Sequence, residues 1–186
     1  MKRDDLIIVR GGGDLATGTI HRLWAAGLRV LVLEIENPAA IRRQVALCEA
    51  VYTKTTEVEG LRAVRIDRYE EAEAVWQENS VPILIDPKGV SIGALKPAVV
   101  IDAILAKRNL GTRRDMAPLT IALGPGFTAG EDVDVGDKAR SPAGANYPRG
   151  CGNPEYGDSG RDRWIRCRAG DSRAGSGYFQ KCACDR

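Results

Sequence analysis

Apolar residues fall along this chain in short blocks, and the blocks stop near residue 135. Leu6 to Val9 is an unbroken apolar run, the pattern of a strand buried on both faces of a parallel sheet. Three glycines follow. Thr17 to Ala26 then carries Ile20, Leu23 and Trp24 at helical spacing, and Gly27 supplies a stop. Val30 to Leu33 is a second strand-like run, so this stretch reads as a βαβ unit. Asn37-Pro38 marks a turn that opens a predicted helix over Ala39 to Cys48, with a short strand at Ala50 to Tyr52. Glu57 to Gly60 is a polar turn and Leu61 to Ile66 another strand. Tyr69 to Gln77 is helical, and Pro82 to Ile85 is a strand ended by Asp86-Pro87-Lys88-Gly89. Pro97 to Lys107 reads as a helix closed by Asn109-Leu110-Gly111, and Pro118 to Leu123 as a strand leading into a glycine-rich loop. Strands alternating with helices predict an α/β protein with a Rossmann-like, doubly wound, mostly parallel sheet over residues 1–135.

Residues 136–186 are different. They are rich in Gly, Arg, Ser and Asp, lack apolar periodicity and hold four of the five cysteines. Such a segment buries too little apolar area to offset an ordering entropy of about 1–2 kcal/mol per residue. A largely disordered tail is therefore expected.

Composition narrows the picture further. An apolar fraction of 44% is enough for a core, and a formal charge of +2 makes no case for a nucleic acid or a membrane surface as partner. The start, Met1-Lys2-Arg3-Asp4-Asp5, holds acids, lacks a long apolar stretch and runs directly into a strand, unlike a signal peptide. No apolar run of about 18 residues is present, so no membrane span is expected and a cytoplasmic location is. Cys48 sits among helix-like residues and reads as a small buried hydrophobe. Cys151, Cys167, Cys182 and Cys184 lack zinc-ribbon spacing, and His21 is the only histidine, so no metal site is expected. His21 reads as a packed or surface residue beside the glycine loop rather than a base.

Four motifs carry candidate chemistry. Gly11-Gly12-Gly13-Asp14-Leu15-Ala16 fits G-x-G-x-x-A between a buried strand and a helix. Glycines there allow a tight turn and close backbone approach, and the free N–H groups of the helix start suit a pyrophosphate or another anion. Glu34 ends the second strand, where an acid binds a ribose hydroxyl. Asp14 places a negative charge where a phosphate would sit, so a turn that binds no nucleotide stays open as the other reading. Asp86, at the carboxyl end of a strand, is a candidate to take a ligand hydroxyl or to orient Lys88, against a plain Pro-Gly turn. Lys96 and Asp102 flank or lie within the predicted helix over Pro97 to Lys107, and Lys107 and Arg108 would complement its negative end. Asp102 faces either solvent or the cleft. Last, Gly124-Pro125-Gly126-Phe127 after a strand offers consecutive N–H groups as an anion nest, or a tight structural loop.

In this order the motifs resemble one family, the YqeB-like accessory proteins of selenium-dependent molybdenum hydroxylases. The resemblance covers Leu6 to about Val135. It is carried by Val9-Arg10-Gly11-Gly12-Gly13-Asp14-Leu15-Ala16-Thr17-Gly18, by Val100-Ile101-Asp102-Ala103-Ile104-Leu105-Ala106-Lys107-Arg108-Asn109, and by Leu123-Gly124-Pro125-Gly126-Phe127. It implies a maturation factor that serves a molybdenum hydroxylase and acts on its molybdenum cofactor. The expected ligand is a small anionic group, either a dinucleotide such as NAD(P) or a molybdenum-cofactor nucleotide. Gly11, Gly12, Gly13, Asp14, Ala16, Glu34, Gly124 and Gly126 are the expected binding positions, and Asp86, Lys96 and Asp102 the weaker cleft candidates. Two other readings stay open. The start also resembles the dehydrogenase part of siroheme synthases, an NAD(P)-dependent oxidoreductase, and a non-catalytic chaperone of the hydroxylase needs no reaction at all.

The family continues past Gly-Pro-Gly-Phe with an Asn-Thr-Gly-Ile-Pro-Gly and Ile-Gly-Gly pattern that is missing after Val135. One permitted set of codons for Asn153 to Trp164, read one nucleotide later, spells Ile-Pro-Asn-Thr-Gly-Ile-Pro-Gly-Glu-Ile-Gly. A one-nucleotide frameshift near Gly136, or a sequencing error of that kind, would therefore account for the tail and remove its cysteines as site candidates; a genuine disordered or cysteine-rich extension stays open as the other reading.

Overall fold

The computed structural model describes residues 5–136, which form one sheet of eight strands flanked by short helices. The elements are β1 (Leu6–Arg10), α1 (Asp14–Ala25), β2 (Arg29–Glu34), α2 (Ala50–Thr53), β3 (Thr55–Val58), β4 (Leu61–Ile66), α3 (Ala72–Gln77), β5 (Val81–Ile85), α4 (Val90–Leu95), β6 (Val99–Asp102), β7 (Leu119–Ala122) and β8 (Val135–Gly136). The strand order is β3-β4-β5-β2-β1-β6-β7-β8. All neighbours pair in parallel except β3 and β4, which form a hairpin. Glu59 and Gly60 turn that hairpin with φ of 49° and 80°, the left-handed pair that matches strand twist. From β5 through β8 the order is that of a Rossmann-like sheet, which grows outward from β1 first on one side and then on the other. The cysteines at 151, 167, 182 and 184, and the proposed frame change, lie outside the described residues.

The central strands are apolar on both faces because both faces are covered. Ile7, Val9, Val30, Val32, Ile83 and Ile101 point to one side, where Ala16 and Ile20 of α1 and Leu47, Ala50 and Val51 pack on them. Ile8, Leu31, Leu33, Leu84 and Val100 point to the other, against Ala72 and Val75 of α3 and Ile92 of α4. Each fully buried Ile or Leu of this kind stabilises the fold by about 1.5–3 kcal/mol relative to exposure.

Three expectations change. Residues predicted helical from Pro97 to Lys107 instead form β6 and the loop after it. Val99-Val100-Ile101 is a β-branched run buried on both faces, and such a run has no periodicity to separate strand from buried helix. Lys107 and Arg108 consequently cap no helix and are exposed in that loop. The helix predicted over Ala39 to Cys48 is reduced to 3-10 turns at Arg43–Val45 and Leu47–Glu49, and the strand predicted at Ala50 to Tyr52 is α2. Among the described residues no helix is long and apolar enough to cross a membrane.

Candidate functional site

The parallel strands bring the predicted motifs to one edge of the sheet. The Gly11 loop follows β1, Glu34 ends β2, Asp86 follows β5, Asp102 ends β6 and the Gly124 loop follows β7. Every one of these is a carboxyl end, where open α/β sheets bind ligands. The order reverses between β1 and β6, so the crevice of such a sheet opens at Gly11 and Asp102. Lys96 is the exception. It precedes β6, lies exposed at the opposite edge and cannot reach this crevice.

The glycine loop is built position by position. Gly11 has φ 98°, and a Cβ there would stand 2.9 Å from the Ala103 carbonyl oxygen. Only glycine lets the loops after β1 and β6 meet this closely. Gly12 is packed from behind, since its carbonyl accepts the Cys48 N–H at 2.8 Å. Gly13 is different: a Cβ would meet nothing within 4 Å, and its backbone is extended rather than left-handed. It precedes Asp14, the first residue of α1, so the open space lies at that helix's N-terminus. Ala16 is fully buried, which lets α1 lie close on the sheet. Thr17, also buried, donates to the Gly13 carbonyl at 2.8 Å and accepts the Leu47 N–H at 3.0 Å, tying loop, helix and cover together.

Glu34 and Asp14 set the charge of the site. Glu34 accepts the Gly12 N–H at 2.7 Å through Oε2 and the Ile35 N–H at 2.9 Å through Oε1. Each carboxylate oxygen keeps a second lone pair for a ligand hydroxyl. Asp14 is not a bare charge. Its Oδ2 accepts the Arg42 Nε at 2.8 Å and its Oδ1 the Leu15 N–H at 2.9 Å. The Arg42 bond first, and then the Leu15 N–H, hold this carboxyl below its ordinary range. The backbone, the open Gly13 and Glu34 therefore fit the anion and ribose of a nucleotide, with Arg42 offsetting the charge of Asp14.

The remaining candidates have structural partners. Asp86 Oδ2 accepts the Ser91 N–H at 2.8 Å and the Ser91 hydroxyl at 2.7 Å, which fixes the start of α4. Burial would raise this carboxyl, but the bonds from Ser91 and from the N–H groups of Val90 and Gly89 outweigh it and hold it low. Asp102 is buried. It accepts from the Thr112 hydroxyl through Oδ2 and from the Ile104 N–H at 3.1 Å through Oδ1. Thr112 in turn accepts from Arg10, whose other terminal nitrogen donates to the Pro87 carbonyl at 3.2 Å. Arg10 and Asp102 lie 4.0 Å apart with side chains 3% and 2% exposed. This group forms the floor of the crevice and joins the loops after β1, β5 and β6. Gly126 has φ 100°, and a Cβ there would stand 2.8 Å from the Arg108 Cα, so packing of the two loops requires this glycine. Gly124 has φ 99°, and a Cβ there would stand 3.0 Å from the Leu105 Cδ2, a side-chain end that can move, so its backbone conformation rather than packing favours glycine.

Sequence reasoning gave no separate role to Arg10, Thr112, Thr17 or Arg42, although Arg10 and Thr17 lie inside the Val9 to Gly18 motif. Arg10 is also a charge that closes an apolar strand run. His21 is half-exposed and stacks at a tilt on Trp24. Cys48 is buried, and burial first, then Glu34, pushes its thiol up to about 11. Among the described residues no group of His, Cys, Asp and Glu is placed to hold a metal ion. A pocket of about 390 Å³, lined by Asn109, Gly111–Asp115, Glu131 and Asp132, meets the crevice floor at Thr112 and takes in no residue of the Gly11 loop.

With this geometry in view, the chain is 49% identical over 127 residues to a protein of Escherichia coli (strain K12) named uncharacterized protein YqeB, which covers 68% of this chain. The likeness supports a YqeB-like family. The chain spans 24% of that relative's length. No family model matches the chain. No solved structure matches it.

Proposed function

We propose that this chain is a YqeB-like maturation factor for a selenium-dependent molybdenum hydroxylase. It binds a nucleotide, or the nucleotide part of a molybdenum-cofactor-like ligand, over the glycine loop. One observation carries the binding part of this reading: Gly13 is the glycine of its loop with open space before it, at the N-terminus of α1. Gly11 and Gly12 face the protein, so an incoming phosphate approaches Gly13. Glu34 takes a ribose hydroxyl, and Arg42 contributes positive charge beside Asp14. The maturation role rests on the motifs quoted above and on the YqeB relative, whose own role is uncharacterized.

Titration calorimetry with NAD+, NADP+, CTP and GTP tests the binding site. One of these is expected to bind, and Gly13→Asp is expected to weaken it at least tenfold with unchanged far-ultraviolet circular dichroism. Binding that ignores Gly13→Asp, or no binding to any of the four, refutes the site. The role is tested separately, by the activity of the molybdenum hydroxylase produced in cells with and without this gene. NADH turnover on a tetrapyrrole precursor would instead mark an oxidoreductase.

A further inference from the structure

Every exposed large aliphatic side chain among the described residues lies at the carboxyl edge of the sheet. Leu15 opens α1 after β1 and is 61% exposed. Ile35 follows β2, and Ile41 (100% exposed) and Val45 lie in the connection that leads back over the Gly11 loop. Val90 opens α4 after β5, and Leu110 lies in the loop after β6. The other exposed large hydrophobics among the described residues are Tyr52 of α2 and Tyr69, which follows β4. Singly scattered exposed aliphatics need no explanation, but these gather at one edge, which makes that edge the candidate surface for another body to cover.

Two facts indicate what covers it. β8 runs parallel to β7, with Gly136 opposite Ala122, so the chain leaves the described region at this same carboxyl edge. The matched residues are 24% of the E. coli relative, so about three quarters of that polypeptide lies outside the match. We infer that in the YqeB-like family the polypeptide outside the matched region docks on this edge through an apolar surface. It thereby roofs the Gly11 crevice from the side opposite the Arg10–Asp102 floor. This inference stands apart from the nucleotide reading, because it concerns Ile41 and Val90 rather than Gly13.

The test mixes the full 186-residue chain with the separately purified remainder of the E. coli YqeB protein. Binding is read by titration calorimetry and by displacement of the dye ANS from the apolar edge. A one-to-one complex is expected, weakened at least tenfold by Ile41→Asp and by Val90→Asp. Asn79→Asp, at the opposite edge, should leave it unchanged. Circular dichroism of each variant confirms that the fold is kept. Should the remainder fail to fold alone, a photo-crosslinking residue at the position of Ile41 in the intact E. coli protein gives the same answer: it must react with the segment outside the match. A complex indifferent to both aspartate variants overturns the inference, as does a crosslink confined to the matched region. So does a dimer of this chain, seen by sedimentation, that Ile41→Asp abolishes, since the occupant is then a second copy. Loss of nucleotide binding with the complex intact would refute only the proposed ligand site.

Discussion

Breaking the buried Arg10–Asp102 pair tests whether charge holds the crevice floor together. At 4.0 Å and an effective dielectric of about 20, Coulomb's law gives an attraction of about 4 kcal/mol. The two side chains are nearly inaccessible, so removing one partner strands the other away from water. That situation costs about 3–5 kcal/mol. Asp102→Leu and Arg10→Met are each expected to lose this much, a large part of the roughly 5–15 kcal/mol that an ordinary domain has. Asp102→Asn separates charge from hydrogen bonding, because its carbonyl can still accept from Thr112. Replacing both partners with apolar groups removes both desolvation penalties and is often close to neutral. The double variant Arg10→Met/Asp102→Leu should therefore be more stable than the summed losses imply, by at least about 2 kcal/mol. Urea unfolding followed by tryptophan fluorescence measures this, provided the m-value is unchanged across the wild type, the Asp102→Leu and Arg10→Met variants and the double variant. If the two losses add to within about 0.5 kcal/mol, the residues act independently, and the floor is not the joint ionic unit described above.

Gly11→Ala should destabilise the fold by about 1–3 kcal/mol for its left-handed backbone alone, and by more for the clash with Ala103. Gly13→Ala, with open space and ordinary backbone, should lie within about 0.5–1 kcal/mol in the same unfolding assay. Equal losses would contradict the division of roles in the loop. Asp86 has a folded pKa below its ordinary 3.8. Its contribution is therefore complete above that value and is lost as pH falls through the lower folded one. Asp86→Asn should flatten that acid limb of the stability–pH curve, and an unchanged limb would place the acid sensitivity elsewhere. For the tail, the nucleotide sequence after the Gly136 codon, read one position later, should encode Ile-Pro-Asn-Thr-Gly-Ile-Pro-Gly from the codons of Asn153 onward. A shifted reading without Asn-Thr-Gly-Ile-Pro-Gly rules out the frame change.

How far the sequence alone reached depends on whether the determining contacts are local. β1, α1 and β2 were legible because a buried strand, a glycine turn and a helical stripe lie within about thirty consecutive residues. Their spacing also located Glu34 beside the loop, and the structure adds the Gly12 N–H that Glu34 accepts. α4 was missed because Val90–Leu95 is six residues long, and its start is fixed by the Asp86 carboxylate rather than by a run of helix formers. β6 was misread because residues buried on both faces leave no alternation to detect. The crevice floor was invisible for a different reason. Arg10 and Thr112 are 102 positions apart, so nothing near either residue announces the other. The glycines show the same division. The motif made Gly11, Gly12 and Gly13 look alike, yet only the fold separates the two that contact protein from the one that faces open space. A glycine motif thus reports that the backbone comes close to something. Whether that something is a ligand or another loop is decided by the strand on the far side, here β6, whose identity as a strand the sequence concealed.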